Sequence, residues 1–412
     1  MGVTCGIDWA ERHHDVALVD SDGTTVAKKR IDTGFAGFTE LLSLIAEYSD
    51  DPASVAVAIE TDKNLLVAAL QAGGFSVYAI NPRAVARYRE RGAQAGGKSD
   101  PGDAIVLANI LRTDRHVHRA LPRISELGLA VKALARQHQE AIWARQLTVN
   151  RLRSVLCEFY ASAVNAFPNL THKAAIEVLR AAPTPGHGAK LTHKRVVALL
   201  RRSGRGDRPG LAKAIVGHLH EPVLRQPPRV EAALGHAVIG LVKIIEAMQE
   251  SIAELEGAMA GEFDRHPSAG LLRGAPGLGP ILAARVLGEM GDDPSRFATA
   301  DGLRAFGGTA PITRASGKSK VVRMRYVKNR RLADACHWWA FASITKSPGA
   351  RAHYDRRRAA GDSHNAALRN LANKLLGRLW WCLVNDQSWD EDAAWPAMAK
   401  RADRSPLDTR LA

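Results

Sequence analysis

Apolar positions in the first third of the chain recur with two different periods. Short apolar runs at "VTCGIDWA" (3–10), "SVAVAIET" (54–61) and "FSVYAINP" (75–82) predict buried strands, the first ending on Asp8 and the second on Glu60. "DVALVDSDG" and "TTVAKKRIDT" predict a hairpin that turns at Asp22-Gly23. Between these runs, "GFTELLSLIAEYS" and "KNLLVAALQAGG" have helical period, the second closed by glycines. Another helix opens in "GGKSDPGDAIVLA" (96–108). There Asp100 is a favoured cap, Pro101 suits the first helical position, and Asp103 faces the positive end of the helix.

From Ile124 the period becomes purely helical. "ISELGLAVKALARQHQEAIWARQLTVNRLRSVLCEFY" reads as one long amphipathic helix, and "PRVEAALGHAVIGLVKIIEAMQESIAELEGAMAGEF" as a second. Two helices of similar length fit either an antiparallel hairpin or an oligomerising coiled coil, and helical period does not separate these. Residues 168–228 between them are rich in Pro, Gly, Lys, Arg and His, and predict a small basic helical insert with a loop. A solvated surface insertion and a nucleic-acid contact both fit it. Further on, "LLRGAPGLGPILAARVLGEMG" has the shape of a helix-hairpin-helix. Gly277 and Gly279 would let backbone N–H groups approach a phosphate, although an ordinary packing turn has the same pattern. "LADACHWWAFASI" predicts a buried apolar helix, "HNAALRNLANKLLGRLWWCLVND" a closing helix, and the last twenty or so residues a polar tail.

Three strands followed by alternating helices and strands predict a mixed sheet with helices on its faces, an order that matches the ribonuclease H-like fold. The expected domains are a ribonuclease H-like α/β domain at 1–122, a long helical, coiled-coil region at 123–262, a mostly α domain at 263–390, and the tail at 391–412. Charge sharpens the picture. Lys and Arg number 57 against 42 acids, a net charge of +15, which points to a polyanion and above all to nucleic acid. No apolar run reaches membrane-spanning length and no secretory pattern opens the chain, so the expectation is a cytoplasmic, nucleoid-associated protein without a membrane. Cys5, Cys157, Cys336 and Cys382 lie far apart, which argues against a zinc site or a disulfide framework. The pairs His13–His14 and His116–His118 lack ligand partners at helical spacing and read as surface residues.

In a ribonuclease H-like sheet the first and fourth strands are neighbours at the centre. Asp8 and Glu60 would then sit at one edge, and a helix starting with Asp100 and Asp103 can pack across it. Four carboxylates repel unless divalent cations neutralise them, and Mg²⁺ (or Mn²⁺) prefers carboxylates, water and phosphate oxygens. Such ions could clamp a displacement at phosphorus. Each acid alone has a blander reading. Asp8 could be a turn residue, Glu60 with Thr61 and Asp62 could cap the following helix, and Asp100 could be a cap only.

"GIDWA", "AIET", "KSDPGDA", "PGLGP" and "AFGGTAPITRASGKSK" stand in an order that resembles the insertion-sequence transposases pairing an amino-terminal DEDD, RuvC-like domain with a carboxy-terminal serine domain. Pilin-gene invertases and bridge-RNA-guided recombinases are relatives of that group. The resemblance covers about residues 3–120 and 264–385, with the long helix between. It implies Asp8, Glu60, Asp100 and Asp103 as an acidic, metal-binding tetrad and Ser316 as the serine of the carboxy-terminal motif. It also implies double-stranded DNA as substrate, an element-encoded guide RNA, and a homodimer or tetramer. "ETDKN" after Glu60 departs from the small-residue turn and aromatic of many relatives, and the 168–228 insert is longer than in compact ones.

A serine in "ASGKS" is by itself an ordinary turn residue. As a nucleophile it could store a phosphodiester's energy as a phosphoserine ester, which suits rejoining. Between Arg314 and Arg331 there are eight Lys or Arg and no acid. Of these, Arg314, Lys318, Lys320, Arg323, Arg325 and Lys328 could hold nucleic acid. Ser319 is the nearest competitor to Ser316. The rival readings are a RuvC-like nuclease or junction resolvase using the acids alone, and a nucleic-acid-binding protein with a decayed site.

Overall fold

A computed structural model describes residues 2–92, 100–204, 210–317 and 319–396, without the side chains of 91, 92, 294 and 320. It divides into two compact units, Met1–Arg123 and Ile124–Ala412.

The first unit is built on a sheet of β1 (Thr4–Trp9), β2 (His13–Val19), β3 (Thr25–Asp32), β4 (Ala56–Ile59) and β5 (Ser76–Ala79), in the order β3-β2-β1-β4-β5. β1 pairs antiparallel with β2 and parallel with β4, so the mixed sheet and the central place of the first and fourth strands are as expected. The helices are α1 (Phe35–Ala46), α2 (Leu65–Ala72), α3 (Pro82–Gly92) and α4 (Asp100–Asp114). Alternation along the strands sorts the two faces. Cys5, Ile7, Val16, Leu18, Val57 and Ile59 form one core with Leu41 and Ile45 of α1 and Val67 and Leu70 of α2. Ala56, Ala58 and Tyr78 form another with Val85 of α3 and Leu107, Ile110 and Leu111 of α4. Gly6 decides how close α4 comes: a Cβ there would lie 1.9 Å from the Ala104 carbonyl oxygen and 2.5 Å from the Ala108 nitrogen. Only a residue without a side chain lets the helix backbone rest on β1.

Among its described residues the second unit is helical except for one hairpin. α5 (Glu126–Phe159) is capped by the Ser125 side chain, which accepts from Gly128 N–H. α11 (Pro228–Asp264) lies antiparallel to it, because His138 meets Glu256 at one end and Thr148 meets Met248 further along. The two long helices thus pair within the chain. Between them come α6 (Ala161–Ala166), α7 (Lys173–Ala181), α8 (Pro185–Gly188), α9 (His193–Arg202) and α10 (Leu211–His220). The described part of residues 168–228 is largely helical, and it is not a solvated surface insertion. Ile176, Leu179, Val196, Leu200, Ile215 and Leu219 share one core with Leu152, Leu156, Val242 and Ile245 of the long helices. Their apolar residues recur at helical spacing on single faces, and the many basic residues occupy the other faces.

Beyond α11 follow α12 (Ala269–Gly274), α13 (Pro280–Met290), α14 (Ala300–Phe306), β6 (Ile312–Ser316), β7 (Ser319–Arg323), α15 (Arg330–Ser343), α16 (Pro348–Ala359), α17 (His364–Val384) and α18 (Glu391–Ala394). They pack on the other end of the long-helix pair, through Val131, Ala135, Met259 and Phe263. The stretch expected to open the polar tail at 391 is helical as far as Ala394. Trp395 is buried, and its indole occupies the space that a Cβ on Gly349 would need. Residues 397–412 lie outside the described residues. The helix "LADACHWWAFASI" also differs from expectation: Leu332, Cys336 and Trp339 are buried, but Trp338 and Phe341 are half exposed. Among the described residues no helix is long and apolar enough to cross a membrane.

Candidate active site

Two tight connections bring acids together on the α4 face of the sheet. The turn after Trp9, closed by Ala10 N–H donating to the His13 carbonyl, sets Asp8 directly opposite Asp15. Parallel pairing of Ile7 with Ile59 sets Glu60 one step beyond β4, beside Asp8. Asp100 opens α4, and Asp103 follows one turn later, where α4 crosses β1. The bland readings fall away for two of these. Asp8 lies within β1, not in a turn. The cap of α2 is Asn64, whose side chain accepts from Val67 N–H at 2.7 Å, so Glu60 is not needed to cap that helix. Whatever precedes Asp100 as a cap lies outside the described residues.

The electrostatics report the crowding. Asp8 is pushed up from an ordinary 3.8 to about 6, first by burial and then by the charges of Asp103, Glu60, Asp100 and Asp15. Each of these influences raises it. Asp103 is buried and meets Arg89 of α3 at 2.5 Å. Asp15 is gripped by a fork from Arg30 of β3, at 3.1 and 2.8 Å. Two acids are thus answered by guanidinium groups, while among the described residues Asp8 gathers repulsion from four carboxylates. A hard divalent cation would relieve it, and carboxylate oxygens suit such an ion.

Two residues in the cluster carried no such role in the sequence reading. His13, Asp15 and Asp100 offer ligand atoms all within 4.8 Å of one another. His13 is therefore part of the acidic face, and its neighbour His14 is buried, not a surface residue. The signal was present in the chain. Once "AERH" is read as a tight turn between two strands, residue 15 must pair with residue 8, and 13 and 15 must share their face.

Ser316 lies elsewhere in the chain, at the tip of the β6–β7 hairpin. It ends β6, is exposed, and pairs with Ser319 across the turn. Gly317 follows with a φ of +54°, a left-handed value that glycine takes without strain. Arg314 and Arg323 are exposed on the same hairpin, while Lys318 and the Lys320 side chain lie outside the described residues. Arg325 is half-buried. Lys328 is partly buried, its stem lying over Gly308, and burial with Arg369 and Arg330 nearby lowers its pKa. Gly277 has a φ of +78°, and a Cβ there would lie 2.6 Å from the Ser343 nitrogen. Its first duty is to admit the end of α15. Gly279 has open space around it and precedes Pro280 at the start of α13.

Residues 5–161 match the model of the DEDD transposases of the IS110 type, and residues 269–355 match that of the transposase IS116/IS110/IS902 family. The "Mini-circle putative transposase for IS117" of Streptomyces coelicolor is 49% identical over 406 residues, which cover 97% of this chain and 98% of the relative. The chain belongs to the IS110/IS116 family of transposases. More distant relatives of this transposase include the "Insertion element IS900 uncharacterized 42 kDa protein" of Mycobacterium paratuberculosis, 27% identical over 92% of this chain and 94% of the relative. Another is the "Insertion element IS110 uncharacterized 43.6 kDa protein" of Streptomyces coelicolor, 30% identical over 69% of this chain and 70% of the relative. The first matched region contains every acid of the cluster, and the second contains the β6–β7 hairpin.

Proposed function

We propose that this transposase cuts and rejoins double-stranded DNA through Ser316, with Mg²⁺ or Mn²⁺ held by Asp8, Glu60, Asp100 and Asp103. The observation that carries the metal site is Asp8, a carboxyl whose charge is disfavoured by burial and by the charges of Asp103, Glu60, Asp100 and Asp15. When bound, the ion would draw negative charge from phosphate oxygens. The chain's own residues do the rest. Arg89 and Arg30 hold Asp103 and Asp15 in place, and α4, seated on Gly6, holds Asp100 and Asp103 over β1.

In the serine step, Ser316 Oγ forms a bond to phosphorus and the bond from phosphorus to one sugar oxygen breaks. The hydroxyl proton ends on that leaving oxygen, so the phosphodiester is conserved as a phosphoserine ester and can be rejoined by the reverse reaction. Support comes from the placement of Ser316: exposed, at a hairpin tip, with Arg314 and Arg323 exposed on the same two strands. Gly277 and Gly279, in a helix-hairpin-helix role, and the basic residues 314–328 are assigned to DNA. A guide RNA encoded beside the gene, assembly into dimers or tetramers, and a cytoplasmic, nucleoid-associated setting belong to the same proposal, on the strength of the resemblance and the +15 charge.

A second reading, a RuvC-like nuclease or resolvase, is favoured by one fact: the acids assemble within Met1–Arg123 without any help from Ser316. One experiment divides them. With a nicked or otherwise trapped DNA substrate, the serine reading expects a covalent protein–DNA adduct mapping to Ser316. Ser316→Ala should lose adduct and strand exchange yet still bind DNA, and Ser319→Ala should keep the adduct. Normal cleavage by Ser316→Ala in Mg²⁺ would leave the nuclease reading standing.

A further inference from the structure

α15 is apolar around more of its circumference than one buried face requires. Trp339 and Cys336 are in the core, yet Trp338 and Phe341, on the outer side, are each 50% exposed. These rings are not scattered. The His337 and Trp338 centroids are 5.6 Å apart at 85°, Trp338 and Phe341 6.2 Å at 86°, and Phe341 and His364 6.3 Å at 87°. Tyr354 of α16 continues the series, 5.8 Å from His364 and with its hydroxyl 2.7 Å from the His364 Nδ1. Each ring meets the next edge-to-face, as aromatic pairs prefer, and Trp338 and Phe341 still keep half of their surface open.

The charge around this strip has one free sign. Residues 330–364 hold seven Lys or Arg against three Asp. The three acids are already paired, Asp334 with Arg285 at 2.6 Å, Asp355 with Arg351 at 2.7 Å and Asp362 with Arg357 at 2.6 Å. Arg330, Lys346, Arg356 and Arg358 are exposed. A second copy of this chain, itself at +15, would meet that rim with charge of the same sign. A polyanion with flat apolar groups would meet it with the opposite sign. We propose that the ring strip from His337 to Tyr354 is a stacking platform for unpaired nucleic-acid bases, with the basic end of α16 holding the phosphates. Bases stack on aromatic faces whatever their sequence, and the backbone follows the positive rim. The inference rests on the reading of the chain as an enzyme of nucleic acid, in which strand exchange exposes unpaired bases, and it adds a site outside both the acid cluster and the serine hairpin.

The test uses the full-length protein with a short oligothymidylate, an oligouridylate of the same length and a blunt duplex. Trp338→Ala with Phe341→Ala should weaken single-strand binding about tenfold or more and leave duplex binding unchanged. Trp338→Phe with Phe341→Tyr should keep wild-type affinity, and matching thermal melts of both variants would show that the core is intact. The thymidylate and uridylate arms tell a displaced DNA strand from an RNA. Ser316→Ala should bind oligothymidylate like the wild type, so a failure of the serine chemistry and a failure of the platform are seen separately. Unchanged single-strand affinity in the double alanine variant would overturn the proposal. So would an equal loss on duplex, or a shift to smaller species in sedimentation, which would assign the strip to contact between copies.

Discussion

Two residues control the acid cluster in opposite ways. Asp8 is costly to ionise, since its folded pKa of about 6 lies above the ordinary 3.8. The sign follows from linkage: a carboxyl raised in the folded state favours folding when protonated, and that advantage is lost as pH rises through about 6. In chelator, Asp8→Asn should therefore melt higher than the wild type at pH above about 6, and the gain should fade as the pH drops towards 3.8. Added Mg²⁺ should raise the wild-type melt more than the variant's, while activity is lost in the variant at every pH. An identical Mg²⁺ response in the two proteins would remove Asp8 from the metal site. Gly6 acts by absence. Gly6→Ala places a methyl 1.9 Å from a backbone oxygen of α4, so it should cost at least about 1–3 kcal/mol and abolish transposition with every acid still present. Denaturant melts together with an activity assay check this. Wild-type stability would mean that α4 is free to lift.

At the scale of elements, what was legible in the sequence was periodicity, and what was not was the partner of each face. The strands that carry Asp8 and lead to Glu60, and the helix through Asp100, were readable because apolar period is local, although β1 runs on to Trp9 and β4 stops at Ile59. Asp15 was missed because its role depends on a cross-strand register, which only the turn after Trp9 sets. The outer face of α15 was missed because an apolar stretch of sequence does not say which side finds a core. The 168–228 segment looked polar when averaged, though its apolar residues lie on single faces of α7, α9 and α10 and find a core with the long helices. The "PGLGP" turn shows the same ambiguity between packing and binding, and substitution separates the two. Gly277→Ala, at a φ of +78° and against the α15 backbone, should destabilise the protein by at least about 1 kcal/mol. Gly279→Ala, with open space around it, should change stability by less than about 0.5 kcal/mol. If the Gly279 variant folds normally but binds DNA more weakly, the turn meets phosphate. If it binds normally, Gly279 has no contact that the substitution disturbs.

For the whole molecule, the governing quantity is a charge of +15 spread over faces that the fold leaves open. Attraction to phosphate depends on counterion release, so affinity for duplex DNA should fall steeply with salt. The question is which basic faces take part. α9 is the clearest candidate in the 168–228 segment: Val196, Leu199 and Leu200 are buried, while Lys194, Arg195, Arg201 and Arg202 are exposed on the other side. Because those arginines touch no core, replacing Arg195, Arg201 and Arg202 together with alanine should leave the melting transition unchanged. If all three meet phosphates, the slope of log affinity against log salt should flatten by about 0.9 per lost contact, and by up to about 3 in total. Binding should weaken to a similar degree on duplexes of unrelated sequence, because phosphate contacts carry no sequence information. The same titration with an RNA transcribed from beside the gene gives the contrast. A flatter slope on RNA alone would assign α9 to RNA. An unchanged slope on both nucleic acids would make α9 a solvated face whose charge serves solubility, and the footprint would then have to lie on the β6–β7 hairpin and the basic end of α16.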